Sequence, residues 1–153
     1  MSKSIKFCLA LILLQWSAAI YAAGCQVTTS GGVSFSYDVF DASPADSESA
    51  ITVTCDASTP SVVSVAIGIS TLSNSINPRQ MLHISGTDVL SYNLFVDPSR
   101  TIIWGDDASG AARLLSNIND NVPRELPIYG RVFPGQDVSS GAYSDVVTVT
   151  IAP

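Results

Sequence analysis

The sequence contains few residues that could carry out acid–base or nucleophilic chemistry. His83 is the single histidine, and no Gly-x-Ser-x-Gly elbow or other nucleophile context accompanies the serines. A catalytic triad would have to combine His83 with Asp88 or Asp97 and a serine that no motif identifies. We therefore interpret His83 as a turn or surface residue, and we predict that the chain is not an enzyme.

The sequence offers few candidate ligands for a metal ion. Asp106 and Asp107, together with Asp120, could offer oxygen ligands to calcium, but they lack the regular spacing of a calcium-binding loop. Cys25, Cys55 and His83, the cysteines beyond the apolar N-terminal stretch and the single histidine, do not make the four ligands of a structural zinc site. We predict neither a metal ion nor any other cofactor.

Three aromatic residues could contribute to a binding surface. Trp104 could stack on a sugar, but its neighbours Ile102 and Ile103 favour packing in the core. Tyr92 and Tyr129 lie in alternating segments, where we expect packed rings with a hydroxyl that reaches the edge.

The N-terminus has the features of a secretory signal peptide. Lys3 and Lys6 precede an apolar stretch over residues 7–22, and small residues follow. The stretch is short for a membrane span, although an uncleaved N-terminal anchor is the alternative. We predict a signal peptide over residues 1–22, cleavage after Ala22, and one domain over residues 23–153.

Two cysteines remain after the predicted signal, which contains Cys8. An even number of cysteines in an exported chain indicates a disulfide, here between Cys25 and Cys55. It would close a loop of about 30 residues and stabilise the fold by roughly 3–4 kcal/mol. Residues 22–25 also loosely resemble a bacterial lipobox, so lipidation of Cys25 is the alternative, and it would leave Cys55 as a free thiol.

Charge excludes one class of partner. Both lysines lie in the predicted signal, so the mature chain has five arginines against 13 acidic residues, a net charge of −8. Such an acidic chain is repelled by nucleic acid and by anionic lipid. We predict no nucleic-acid partner.

Beyond Cys25 the apolar residues alternate with a period of two, which indicates half-buried strands. Alternating segments begin at Val33, Ile51, Val63, Leu90, Leu126 and Tyr143. Turn signals, such as Asn77-Pro78 and Pro134-Gly135, separate them. Only residues 108–118 have helix-like spacing, and we interpret them as a loop or one or two turns. The pattern predicts an all-β sandwich or barrel.

Four blocks of sequence, in this order, resemble the spore coat protein U domain family, which includes the subunits of archaic, Csu-type chaperone–usher pili. The blocks cover residues 79–81, 90–106, 126–132 and 141–151. The residues that carry the resemblance are Arg79, Met81, Tyr92, Asp97, Trp104, Gly105, Tyr129, Gly130, Tyr143 and Asp145. Cys25 and Cys55 also fit. Phe35-Ser36-Tyr37 departs from the family, which often has glycine between the two aromatic residues.

The resemblance implies an immunoglobulin-like antiparallel β-sandwich that lacks its last strand. A periplasmic chaperone would fill the gap first, and the N-terminal extension of a neighbouring subunit would fill it after assembly at an outer-membrane usher. The acceptor groove is expected between the first and last strands, lined by Val33, Phe35, Tyr37, Val147, Val149 and Ile151. The chain would pass through the periplasm to a surface pilus that serves adhesion and biofilm formation.

The position of Cys25 suggests a place in the fibre. Cleavage after Ala22 leaves two residues before this cysteine, whereas a donor segment needs about ten. We therefore expect a subunit that accepts a strand but gives none, as at the pilus tip. An adhesive tip would bind through loops, for which the candidates are residues 41–49, 73–78 and 106–121.

Three other functions stay open at this point. The chain could be a free-standing secreted carbohydrate-binding β-sandwich, an extracellular hydrolase or a protective spore coat component. The first requires a sandwich that is stable alone, and the second requires a catalytic pair that the sequence does not show.

Overall fold

The computed structural model describes residues 24–29 and 31–152, which form nine strands and no helix. The strands are β1 (Cys25–Thr29), β2 (Ala45–Cys55), β3 (Val62–Ile67), β4 (Arg79–His83), β5 (Val89–Phe95), β6 (Arg113–Ser116), β7 (Arg124–Val132), β8 (Tyr143–Ser144) and β9 (Val149–Ala152). Accordingly, this part of the chain has no helix that could cross a membrane. The predicted signal peptide, residues 1–22, lies outside the described residues and stays a prediction.

The strands form two antiparallel sheets. The larger sheet has the order β1-β2-β7-β5-β4-β8, and the smaller one has the order β6-β3-β9. Their facing sides enclose one apolar core, to which β2, β3, β5 and β7 contribute most of the inward residues. The prediction of an all-β, immunoglobulin-like sandwich is confirmed.

Alternation along the central strands explains why they form. In β3, Val63, Val65 and Ile67 are buried while the residues between them are partly exposed. Trp104 is fully buried beneath this strand, and its Nε1 donates to the carbonyl of Val65 at 2.9 Å. The interpretation of Trp104 as a core residue is therefore confirmed.

Arg79 joins the two sheets from inside the protein. Its side chain is fully buried, and Nη2 donates to the carbonyls of Ile67 and Gly68 beside the smaller sheet. Nη1 donates to Oδ1 of Asn93 in β5, and Nη2 also donates to the carbonyl of Trp104. All these acceptors are neutral, so hydrogen bonds rather than an ion pair offset most of the cost of burying the charge.

Two expectations about secondary structure were wrong. Residues 113–116 form strand β6 against β3 rather than a loop or helical turns, because Leu115 packs on the core while Leu114 is 70% exposed. The candidate loop 41–49 is also shorter than expected, since β2 begins at Ala45 and pairs with Val132 of β7.

Candidate functional site

The segment predicted as the first alternating strand is extended but has no strand partner. Its side chains alternate between half-buried and exposed from Val33 to Phe40, as the period of two predicts. Residues 32–38 nevertheless take part in no strand ladder of the described structure. The alternation is therefore correct, whereas the expected pairing is wrong for this segment.

Side-chain contacts hold this segment in place instead of a ladder. Val33 and Phe35 lie over Gly130 of β7, where an added Cβ would come within 2.6 Å of both side chains. The ring of Phe35 also packs against that of Tyr92, with the centroids 6.1 Å apart. Gly130 is thus required to be small because the segment passes directly over it.

Tyr37 anchors the same segment to β5 through Gln136. The hydroxyl of Tyr37 accepts from the backbone N–H of Gln136 at 2.8 Å and donates to its carbonyl at 3.2 Å. The side-chain amide of Gln136 accepts from the N–H of Ser91 and donates to its carbonyl. Gln136 therefore pairs with Ser91 of β5 and links Tyr37 to the larger sheet.

The predicted last strand is divided between the two sheets. β8 pairs with β4 in the larger sheet, and β9 pairs with β3 in the smaller one. Residues 145–148 connect them, and half-buried side chains still alternate with exposed ones throughout. The chain thus changes sheets within a sequence that alone reads as one continuous strand.

Two neighbouring cavities with four wall residues in common lie between these segments, and we call them together the groove. The inner cavity measures about 280 Å³ and includes Val33, Phe35, Val147 and Val149 in its walls. The outer cavity measures about 760 Å³ and lies between residues 33–40 and 138–143, so that it includes Tyr37. Of the six predicted groove residues, Ile151 lines neither cavity, because it is buried in the core opposite Val65 of β3.

One polar pair lies at the inner cavity. The hydroxyl of Tyr92 donates to Oδ2 of Asp145 at 2.8 Å, and both residues line the cavity. Burial, followed by this hydrogen bond and the charge of Asp145, raises the pKa of Tyr92 above its usual value. The hydroxyl therefore stays protonated and remains a donor.

The loop over residues 138–142, which lines the outer cavity, is held by polar contacts from His83 of β4 and from Asp88. Nε2 of His83 lies 3.3 Å from the carbonyl of Ser140, and its ring packs edge-on against Tyr143 at 4.8 Å. Oδ2 of Asp88 accepts from the backbone N–H of Ser139 at 2.8 Å. His83 and Asp88 thus hold the loop before β8, and the alternating pattern alone could not have indicated this.

The remaining residues of the family resemblance have structural surroundings. Asp97 accepts from the N–H groups of Thr101 and Ile102 and so closes a turn. Gly105 has no room for a side chain because a Cβ would overlap the carbonyl of Ser109. The other two lie on opposite sides of the larger sheet: Met81 lines the groove, and Tyr129 lies under the guanidinium of Arg100.

The described residues include no cluster of three or more side chains that could hold a metal ion. Asp106 and Asp107 accept backbone N–H groups of Ser109 and Ala112. Asp120 pairs with the guanidinium of Arg124 at 2.7 Å.

The two cysteines of the domain form the predicted disulfide. Cys25 and Cys55 lie directly opposite each other in the β1–β2 pair, and their sulfur atoms are bonded. This bond uses the sulfur of Cys25 that lipidation would require.

Comparison with known proteins finds a curated relative, and solved structures of similar fold match as well. The chain is 34% identical over 104 residues to Protein U of Myxococcus xanthus, and the alignment covers 66% of this chain and 56% of that protein. The chain thus spans little more than half the length of this relative.

The solved structures show likeness of fold alone. A chain in the CsuC–CsuE chaperone–tip adhesion subunit pre-assembly complex from the archaic chaperone–usher Csu pili of Acinetobacter baumannii has 20% identity and a TM-score of 0.58. The match covers 83% of this chain and 38% of that one. A chain in the chaperone–tip adhesin complex of CFA/I fimbriae has 12% identity and a TM-score of 0.51, with coverage of 85% and 41%.

The family profile extends over almost the whole sequence. The Spore Coat Protein U domain matches residues 10–150. Together with the sandwich and the ordered sequence blocks, this match shows that the chain belongs to the spore coat protein U domain family, whose members are structural subunits rather than enzymes.

Proposed function

We propose that this chain is a subunit of a chaperone–usher surface pilus and that its groove accepts a β-strand from another protein. The observation that carries the proposal is the groove itself. Two extended segments with alternating half-buried residues, 33–38 and 143–151, flank a space in which no described strand lies. An added strand between them would complete the sandwich by β-augmentation.

The free edge next to this space supports the proposal. β9 pairs with β3 on one side only, and β8 pairs with β4 over two residues. An open edge beside an apolar groove is a site for pairing with another chain, and it favours aggregation if left open. A strand that inserts there would satisfy backbone groups and cover apolar side chains, at roughly 25 cal/mol for each Å² removed from water.

The proposed partners follow from this mechanism. A periplasmic chaperone would occupy the groove during export, an outer-membrane usher would assemble the fibre, and a neighbouring subunit would then supply the strand. Two solved structures of similar fold are described as chaperone complexes with a tip subunit or tip adhesin. The chain would accordingly be exported through the periplasm and end in a pilus on the cell surface.

Periplasmic expression with and without a chaperone of the archaic pilus type tests the proposal. We expect soluble protein mainly as a one-to-one complex with the chaperone, since the chain alone exposes the groove. A second version of the chain carries serine in place of Val147 and Val149 in the groove. We expect this variant to form a weaker complex with the chaperone. A monodisperse, cooperatively unfolding monomer without chaperone would contradict the proposal.

The position at the pilus tip is a separate part of the proposal. It rests on the predicted cleavage after residue 22, which lies outside the described residues. N-terminal sequencing of the exported protein tests it. About ten or more residues before Cys25 would supply a donor segment and so contradict the tip position.

A spore coat component is the second candidate, because the family is described by that role. The two candidates differ in their partners. A chaperone and an usher encoded beside this chain would favour the pilus.

A further inference from the structure

The inner cavity has one charged side chain in an otherwise mainly apolar wall. Asp145 occupies an inward position between Tyr143 and Val147, where the alternation otherwise supplies uncharged residues. Water can reach its carboxylate while the groove is open. A strand that fills the groove would remove this water, so the chemistry of the strand next to Asp145 matters for binding.

The carboxylate of Asp145 has unused capacity for hydrogen bonds. Oδ2 accepts from the hydroxyl of Tyr92 at 2.8 Å, and Oδ1 accepts from the backbone N–H of Val146 at 2.9 Å. An ionised carboxylate has about four acceptor sites, so about two remain. An entirely apolar strand would bury them without a donor, which is unfavourable.

Both present partners of the Asp145 carboxylate are neutral donors, the hydroxyl of Tyr92 and the backbone N–H of Val146. The wall of the inner cavity is otherwise mainly apolar. A lysine or arginine side chain that entered it would lose its hydration, a cost that its attraction to Asp145 offsets only with excellent geometry. A carboxylate would be repelled by Asp145. A neutral donor avoids both costs.

We propose that the strand which occupies the groove presents a neutral hydrogen-bond donor, a hydroxyl or amide side chain, at the inward position facing Asp145, with apolar residues at the neighbouring inward positions. This inference rests on the proposed function and adds a chemical requirement for the partner. Specificity arises because an otherwise suitable apolar strand leaves the carboxylate without a donor.

Synthetic peptides test this requirement on the full chain, refolded from denaturant in their presence. The peptides are about twelve residues long, which is enough to span the groove in an extended conformation. They have valine at every inward position, and threonine replaces valine at one position at a time. Threonine and valine have nearly the same shape, so the difference in Kd reports the hydroxyl alone. Fluorescence anisotropy of labelled peptides gives Kd.

We expect one position at which threonine binds about tenfold more tightly than valine. Lysine or aspartate at that position should bind more weakly than threonine. The preference for threonine should disappear in Asp145→Leu, and Asp145→Asn provides a milder change if the leucine variant does not refold.

The possible failures are distinguishable. If valine peptides bind as tightly as every threonine peptide, or if the preference persists in Asp145→Leu, the inference is wrong while strand acceptance stands. If the lysine peptide binds more tightly than the threonine peptide, the requirement for a neutral donor is wrong. If no peptide binds at all, both the proposed function and this inference fail.

Discussion

At the scale of single residues, two glycines are explained by the atoms that occupy the space a side chain would need. Gly130 lacks a side chain because Val33 and Phe35 pass over it, and Gly105 lacks one because the carbonyl of Ser109 fills the space. Both glycines are part of the family resemblance, but the reason for glycine at each position is steric and becomes apparent only in the folded chain. Gly130 shapes a wall of the groove, whereas Gly105 allows the close approach of residues 109 and 110.

Gly130→Ala tests this steric account. The added Cβ would lie 2.6 Å from side-chain atoms of Val33 and Phe35, so the segment must move away from β7. We expect a loss of roughly 1–3 kcal/mol in the free energy of unfolding, measured with urea and Trp104 fluorescence. Gly32→Ala is the matched control, because nothing lies within 4 Å of its added Cβ. Equal stability of the two variants would contradict the account.

Arg79 gives a second prediction at the scale of a residue. Replacing it by methionine removes the donors for the carbonyls of Ile67, Gly68 and Trp104, which then stay buried without a partner. We expect Arg79→Met to lower the free energy of unfolding by about 3 kcal/mol. The same substitution at Arg124, a partly exposed residue paired with Asp120, should cost less than about 1 kcal/mol. Similar losses for both variants would show that Arg79 does not join the sheets.

At the scale of strands, the sequence predicts the long central elements and fails at the short ones. β2, β3, β5 and β7 alternate over enough residues for the period of two to be evident. β6 has four residues with the mixed sequence Arg-Leu-Leu-Ser, so its helix-like spacing was misleading. Its strand conformation depends on pairing with β3, which is distant in sequence.

The candidate groove shows the same limit. Alternation predicts which side chains face inward, and the inward side chains of residues 33–37 and 143–149 line the two cavities. It could not show that residues 32–38 lack a partner or that the last strand changes sheets, since pairing is decided by distant residues. The contact between Tyr37 and Gln136 spans 99 positions and has no local signal.

The β2–β7 pair makes a prediction about pH. Nε and Nη2 of Arg131 donate to the carboxylate of Asp46, its direct partner across the strands, at 2.7 and 2.8 Å. The hydrogen bond to Arg131, helped by the charge of Arg100, lowers the pKa of Asp46 below its ordinary value of 3.8. The pair therefore stabilises the fold fully above that value, and its contribution is lost as the pH falls through the lower folded pKa.

Urea unfolding between about pH 5 and pH 2 measures this contribution when wild type is compared with Asp46→Asn. We expect the wild type to be more stable by up to about 1 kcal/mol at the upper end, because the pair is partly exposed. The difference should shrink toward the lower end. A constant difference over the range would show that ionised Asp46 does not stabilise the β2–β7 pair.

At the scale of the whole molecule, the protein is a sandwich whose core is formed but which is open on one side at the groove. The disulfide, the buried Trp104 and the Arg79 contacts hold the two sheets and β1 together. The groove lies where the unpaired segment 32–38 faces the chain that changes sheets between β8 and β9. We therefore expect a subunit that is well ordered except where a partner strand is needed.

The most direct test of this central claim is an experimental structure of the chain in complex with a chaperone of the archaic pilus type. We expect an extended chaperone strand between residues 33–40 and 143–151. Its backbone should be hydrogen-bonded along the free edge of β9, and its inward side chains should lie in the inner cavity. A chaperone bound elsewhere, with residues 33–40 paired directly to β9, would contradict this claim.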